Sequence, residues 1–245
     1  HYEPKDGSKN LIVWLHGIGE GGTENTDARV PLLANKADIL KREEFQKVIG
    51  KANILVPQCP TYWMDANGNG DNLNHGRIEA DGTSFYKDSL LELIRNYKDK
   101  TGSEKIVLAG CSNGGYMTVL LGMQAPELFN GYVPICEAMP DRLITDEQVD
   151  LLVHEKMYFV YSRDDQTVAP ELHEEPLLKR LRAKNAGDIH VSVTEHVEDR
   201  TGRYFMKDSD HPYRYAGHWS WIRFFNNECD ADGLSAWDFI RICLK

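Results

Sequence analysis

The stretch KIVLAGCSNGGYMTVLLG, residues 105–122, runs an apolar β-branched segment into a glycine-flanked knot and then into helix-forming sequence. Two nucleophile types, Cys111 and Ser112, sit side by side in the knot. Gly110-Cys111-Ser112-Asn113-Gly114 fits G-x-S-x-G between a strand and a helix, a turn so tight that the apex residue takes a strained backbone and its flanks tolerate no Cβ. In that register Ser112 occupies the apex with Oγ directed outward at the helix N-terminus. Cys111 faces the other way and fills space.

A serine hydroxyl is a poor nucleophile until a base takes its proton, so an imidazole oriented by a carboxylate must lie elsewhere in the chain. The run KMYFVYSRDD ends in Asp164-Asp165, just past a predicted strand. Asp165 is preferred because it stands three residues before Val168 in the loop leading to Pro170. The other reading of the two acids is a helix N-cap. Among nine histidines, His218 in AGHWSW follows the last strand and an irregular loop, with glycine before it and aromatics after, as a loop-borne base requires. His190 and His196 fall in a strand pattern, His154 and His173 in polar helical stretches, and His75 and His211 in loops, where surface or packed roles are expected.

Acyl chemistry also needs donors aimed at a developing oxyanion. Asn113 N–H, just after the serine, supplies one. The loop after the first strand, His16-Gly17-Ile18-Gly19-Glu20-Gly21-Gly22, brings Ile18 N–H as the second. A dinucleotide reading of these glycines fails, because no helix-opening pattern follows and no acid ends the next strand. Tyr62, Trp63 and Trp219 are expected to stack on a sugar or phenolic ring, and Trp221 to be core. Asp65-Ala66-Asn67-Gly68-Asn69-Gly70-Asp71 opens like a calcium loop, but Gly76 stands where a bidentate Glu belongs, and Asn/Gly turn chemistry explains the same residues. No metal and no cofactor are expected.

The elements that must position these groups are six short apolar runs: 10–17, 52–60, 105–112, 131–138, 156–165 and 188–196. Continuous apolar runs of this length read as strands covered on both faces, hence a mostly parallel sheet. Helical pattern fills 85–102, 114–129 and 171–187; Leu90, Leu91, Ile94 and Tyr97 recur at helical spacing in the first, and Gly102 suits its C-cap. The alternation predicts an α/β fold with its site beyond the carboxyl ends of the strands. Segments 61–82 and 197–217 carry no periodicity and read as long loops. With 245 residues and no composition break, one domain over 1–245 is expected.

The net charge of −10 would repel nucleic acid and anionic membrane surfaces. No stretch approaches the roughly 20 apolar residues of a membrane span, so a soluble protein is expected. The chain starts at His1 rather than Met, so an export signal could already be removed; compartment stays open, with secretion slightly favoured. Cys59, Cys111, Cys136, Cys229 and Cys243 are odd in number and lack CxxC spacing. Buried reduced thiols are expected, with a Cys229–Cys243 bridge as the alternative.

Together HGIGEGG (16–22), LVPQCP (55–60), GCSNGG (110–115), SRDDQTVAP (162–170) and GHWSW (217–221) resemble the α/β-hydrolase superfamily. Within it, the likeness is to the esterase branch of prolyl-oligopeptidase-like, polyhydroxybutyrate-depolymerase-like and feruloyl-esterase-like enzymes. The resemblance implies a mostly parallel sheet with helices on both faces, Ser112, Asp165 and His218 as a triad, and Ile18 and Asn113 as oxyanion donors. It implies a serine carboxylesterase acting on a small-molecule or glycan-linked ester, of feruloyl or acetyl type, through an acyl-enzyme. A peptidase or acyltransferase on the same scaffold, and a non-catalytic glycan- or protein-binding module, are the other readings. Such proteins usually carry one or two strands before the HG strand, whereas only about nine residues precede it here.

Overall fold

In the computed structural model, residues 1–22, 26–71, 73–74 and 77–245 are described. The chain runs through β1 (Asn10–Leu15), α1 (Val30–Leu33), α2 (Glu43–Ile49), β2 (Asn53–Leu55), β3 (Leu73–Asn74), β4 (Arg77–Ile78) and α3 (Lys87–Thr101). Then follow β5 (Lys105–Cys111), α4 (Asn113–Gln124), β6 (Gly131–Ile135), α5 (Asp146–Leu152), β7 (Met157–Ser162), α6 (Glu174–Ala183), β8 (Ile189–Thr194), α7 (Trp221–Phe225) and α8 (Ala236–Cys243). Six strands form one sheet in the order β2-β1-β5-β6-β7-β8, and every pairing in it is parallel. The chain steps from β1 to β2 on one side and then crosses to β5 on the other, so the loops after β1 and β5 diverge from a switch point, where sites form in such sheets.

Both faces of the sheet are covered, and the period of two persists inside the apolar runs. In β1, Leu11, Val13 and Leu15 join the core on one face, with Leu90, Leu91, Ile94 and Tyr97 of α3. Ile12 and Trp14 join the other, with Phe45 of α2 and Trp237, Phe239 and Ile240 of α8. Helix α3 ends where expected: Gly102 takes the left-handed conformation (φ 64°), and its N–H caps Asp99 and Lys98 carbonyls. Nearly every residue of α4 is buried, so the helix that follows Ser112 is enclosed rather than amphipathic.

Several boundaries differ from the sequence reading, among them the 114–129 helix, which ends at Gln124 before a 3₁₀ turn over Pro126–Leu128. The 52–60 run pairs only over Asn53–Leu55, because Pro57 cannot donate to a ladder and His16 engages Cys59 N–H instead. The 171–187 helix starts at Glu174, after a separate 3₁₀ turn over Pro170–Leu172. Starting there puts Pro176 in the first turn, where its missing N–H costs nothing. The expected loops carry some pairing: β3 and β4 pair antiparallel, and bridges Glu198–Arg214 and Phe205–Pro212 fold 197–217 into an antiparallel arm. At the β2 edge, Tyr2 exchanges both backbone hydrogen bonds with Ile54 in a single antiparallel bridge.

All five cysteines are free and buried, so Cys229 and Cys243 are not bridged. Among the described residues no helix is long and apolar enough to cross a membrane.

Candidate active site

Ser112 sits between β5 and α4 with φ 54° and ψ −115°, a combination that is strained for any side chain other than glycine's. The surroundings enforce it. A Cβ at Gly114 would lie 2.1 Å from the Leu15 carbonyl oxygen, so α4 can approach the end of β1 only through a glycine. Ser112 N–H donates to Ile135 O at 2.8 Å, and Ala138 N–H donates back to Ser112 O at 3.3 Å, pinning the turn to the end of β6. Cys111 is enclosed beneath it, and burial raises its thiol pKa well above the ordinary value, so the thiol stays protonated.

His218 and Asp165 meet this serine. His218 Nε2 lies 2.8 Å from Ser112 Oγ, and its Nδ1 lies 2.7 Å from Asp165 Oδ2. The other oxygen of Asp165 accepts Thr167 N–H at 2.8 Å and Val168 N–H at 2.9 Å, so the acid is aimed by the turn it closes. The N-cap reading is not what the helix uses, since α6 begins after His173 and takes no side-chain cap. Trp221 stands edge-on to the His218 ring, centroids 5.5 Å apart.

The loop after β1 is built around His16. Cys59 N–H donates to His16 Nε2 at 2.9 Å. The proton therefore sits on Nδ1, which donates to Gly17 O at 2.6 Å. Burial lowers the imidazole pKa to about 4, and the ring stays neutral. Ile18 opens a 3₁₀ turn at this point, and neither Ile18 N–H nor Asn113 N–H has an acceptor among the described residues. Both are free to serve a ligand. Asn113 Oδ1 accepts Trp63 N–H at 2.6 Å, tying the loop after β2 to the serine turn.

That tie overturns one expectation. Tyr62 and Trp63 are each 2% exposed and belong to the core, so neither offers a face to a sugar or phenolic ring. Of the three stacking candidates only Trp219, 45% exposed, presents its ring to solvent. Trp221 is buried. Asp65 is likewise turned inward. Its carboxylate accepts Asn67 N–H (3.2 Å), Gly68 N–H (2.9 Å), Gly70 N–H (2.8 Å) and Thr61 Oγ (2.6 Å), which occupies the lone pairs a calcium ion would need. Among the described residues no group of three or more metal-ligating side chains converges. His75 and Gly76 lie outside the described residues.

Sequence reasoning missed two features near the serine. Glu137, at the end of β6, and Glu174, at the start of α6, are both fully buried carboxyl groups. The signal for the first was a charged residue ending the apolar run GYVPICEA. The second is a pair Asp164–His196, with Nδ1 2.7 Å from Oδ2, beside Asp165 and His218. On the same rim, the loops after β6 and β7 enclose a cavity of about 400 Å³ lined by Pro140, Arg142, Leu172, His173 and Pro176. A larger one, about 510 Å³, lies between residues 36–44 and 225–228 and touches none of Ser112, Asp165 or His218.

No protein-family model matches the chain, and no curated protein sequence is similar to it. Solved structures are. A thermostable esterase superposes with a TM-score of 0.69 at 25% identity over 93% of this chain, which spans 55% of that one. Arabidopsis thaliana SOBER1 superposes at 0.52, with 17% identity over 96% of this chain and 99% of that one. Esterase PE8 gives 0.54, with 16% identity over 80% and 88% of the two chains. The chain has the α/β-hydrolase fold.

Proposed function

We propose that the protein is a serine carboxylesterase in which Ser112, His218 and Asp165 form the catalytic triad. The observation that carries this is the two-sided engagement of one imidazole: Ser112 Oγ at 2.8 Å on Nε2 and Asp165 Oδ2 at 2.7 Å on Nδ1. The acid holds the proton on Nδ1, which leaves the Nε2 lone pair facing the hydroxyl. His218 takes the Ser112 proton as Oγ adds to the ester carbonyl. The oxyanion forms where Ile18 N–H and Asn113 N–H are open, and the N-terminal end of the 12-residue helix α4 adds its positive dipole end. His218 then returns the proton to the leaving alcohol. Water, deprotonated by the same nitrogen, releases the acid and regenerates Ser112.

The likeness to esterases supports ester over peptide substrates, and Trp219 on the rim suits an alcohol or acyl group with a flat face, such as a sugar or a phenolic acid. The test is turnover of short acyl-nitrophenyl esters and methyl ferulate, together with fluorophosphonate labelling. Wild type is expected to turn over at least one ester and to label at Ser112. Ser112→Ala is expected to lose kcat by about 10⁴-fold or more and to resist labelling; equal rates for the two proteins would refute the assignment.

A further inference from the structure

The two acids that follow β7 serve two different imidazoles. Asp165 faces His218, while Asp164 turns the other way. Asp164 Oδ1 accepts Ser162 Oγ at 2.5 Å, and its Oδ2 faces His196 Nδ1 at 2.7 Å. Ser162 is itself enclosed at the end of β7 and also reaches Glu195 O, 3.2 Å away. Arg163 N–H donates to Thr194 O, so the chain carrying both acids is clamped to the end of β8. Asp164 therefore has a fixed orientation, set by one hydroxyl and one ring.

Gly217 packs tightly against one carboxylate oxygen and the carbonyl of Asp164. A Cβ built on Gly217 would stand 2.3 Å from Asp164 Oδ1 and 2.7 Å from the Asp164 carbonyl carbon and oxygen. Gly217 immediately precedes His218, so the peptide leading into the histidine is held against Asp164 with no room for a side chain. Among the described residues Asp164 makes no hydrogen bond to Ser112 or to the His218 ring, its partners being Ser162 and His196.

We propose that Asp164, braced by Ser162 and His196, is a positioning residue that seats the Gly217–His218 peptide and so keeps His218 Nε2 within hydrogen-bonding reach of Ser112 Oγ. The proposal rests on the triad reading above. Misplacement of a catalytic group by about 1 Å can cost on the order of 100-fold in rate. The expected signature is therefore a fall in kcat without a matching change in KM.

The experiment compares wild type, Asp164→Ala, Asp164→Asn, His196→Ala and His196→Gln by steady-state kinetics on an acyl-nitrophenyl ester and by the low-field proton resonance of His218 Nδ1–H. Asp164→Ala is expected to lower kcat about 30-fold with KM within about twofold, and to broaden or shift the resonance. Asp164→Asn, which keeps the shape and an acceptor for Ser162, is expected to restore both readouts to near wild type. His196→Ala lowers kcat less, and His196→Gln recovers part of it. A wild-type kcat and an unmoved resonance in Asp164→Ala overturn the proposal, as does an Asn variant as impaired as the Ala variant, which would assign the effect to charge rather than seating. If Asp164→Ala does not fold, the His196 pair decides: two variants with wild-type kcat and resonance overturn it. Should wild type turn over no ester, the function reading fails, and the resonance still tests the seating.

Discussion

Two buried carboxyl sites stand behind the rim that carries Ser112. In the loop after β2, Asp65 is closed off from water and receives four hydrogen bonds, three from backbone N–H groups and one from Thr61. Between the end of β6 and α6, Glu137 and Glu174 are also enclosed, yet among the described residues one oxygen of Glu137 has no partner and Glu174 is approached only by the Glu137 and Glu174 backbone N–H groups. Only Met139 N–H, at 2.6 Å, reaches the remaining oxygen of Glu137. Burial raises the pKa of all three acids; at Asp65 the hydrogen bonds outweigh it and hold the carboxyl below its ordinary value. At the glutamates burial prevails. Glu137 is raised, and Glu174 is pushed further by the nearby Glu137, so the pair keeps a proton at neutral pH. Hydrogen-bond donors at Asp65 and deeper burial at the glutamates together decide which acid carries charge.

The contrast breaks most visibly at Asp65. Asp65→Ala strands three N–H groups of a tight loop and should cost about 3 kcal/mol in urea unfolding, with kcat falling as well because Trp63 loses its register on Asn113. Glu137→Gln tests the other side. The folded protein holds the Glu137 proton to higher pH than the unfolded chain does, so its stability contribution is complete below the ordinary value of 4.5 and disappears as pH rises through the folded one. The glutamine variant should therefore be more stable than wild type at pH 9 and no more stable at pH 4, read as melting temperature against pH. Asp65→Asn reverses the sign: the wild-type contribution is present above the ordinary value of 3.8 and lost as pH falls through the lower folded one. The variant's acid limb should be flatter, with a loss of about 1 kcal/mol at pH 7.

The smallest effect sharpens the rule with an intermediate case. Glu20, behind the loop that carries Ile18, receives Asn35 Nδ2 at 2.5 Å as well as backbone N–H groups, and burial still raises it. Asn35 is left-handed (φ 53°), so Asn35→Gly removes the donor without adding strain. The Glu20 carboxyl should then titrate higher still, measured by carbon NMR of its side chain.

How far the sequence could be read follows from locality. The order of the strands' apolar runs, the serine turn and the Gly102 cap were legible because each depends on residues that are neighbours in the chain. The meeting of Ser112, Asp165 and His218 rested on the rule that sites gather at the carboxyl ends of parallel strands, and the distances reported above are what the fold adds. Tyr62 and Trp63 were misread because a glycine- and asparagine-rich loop looks solvated until Asp65 is seen drawing it inward. Glu137 and Glu174 are 37 positions apart in the chain, and no local pattern announces that two acids share an interior. Asp164 and Asp165 are neighbours in sequence, yet the structure turns them toward different imidazoles.

The five thiols offer a practical handle. Each is shielded from solvent, and burial holds the pKa of every one above the ordinary value. A cysteine introduced on the exposed arm at 197–217 would be the one fast-alkylating sulfur in the native molecule. A dye or spin label could be attached there, next to His218, in the otherwise unaltered chain.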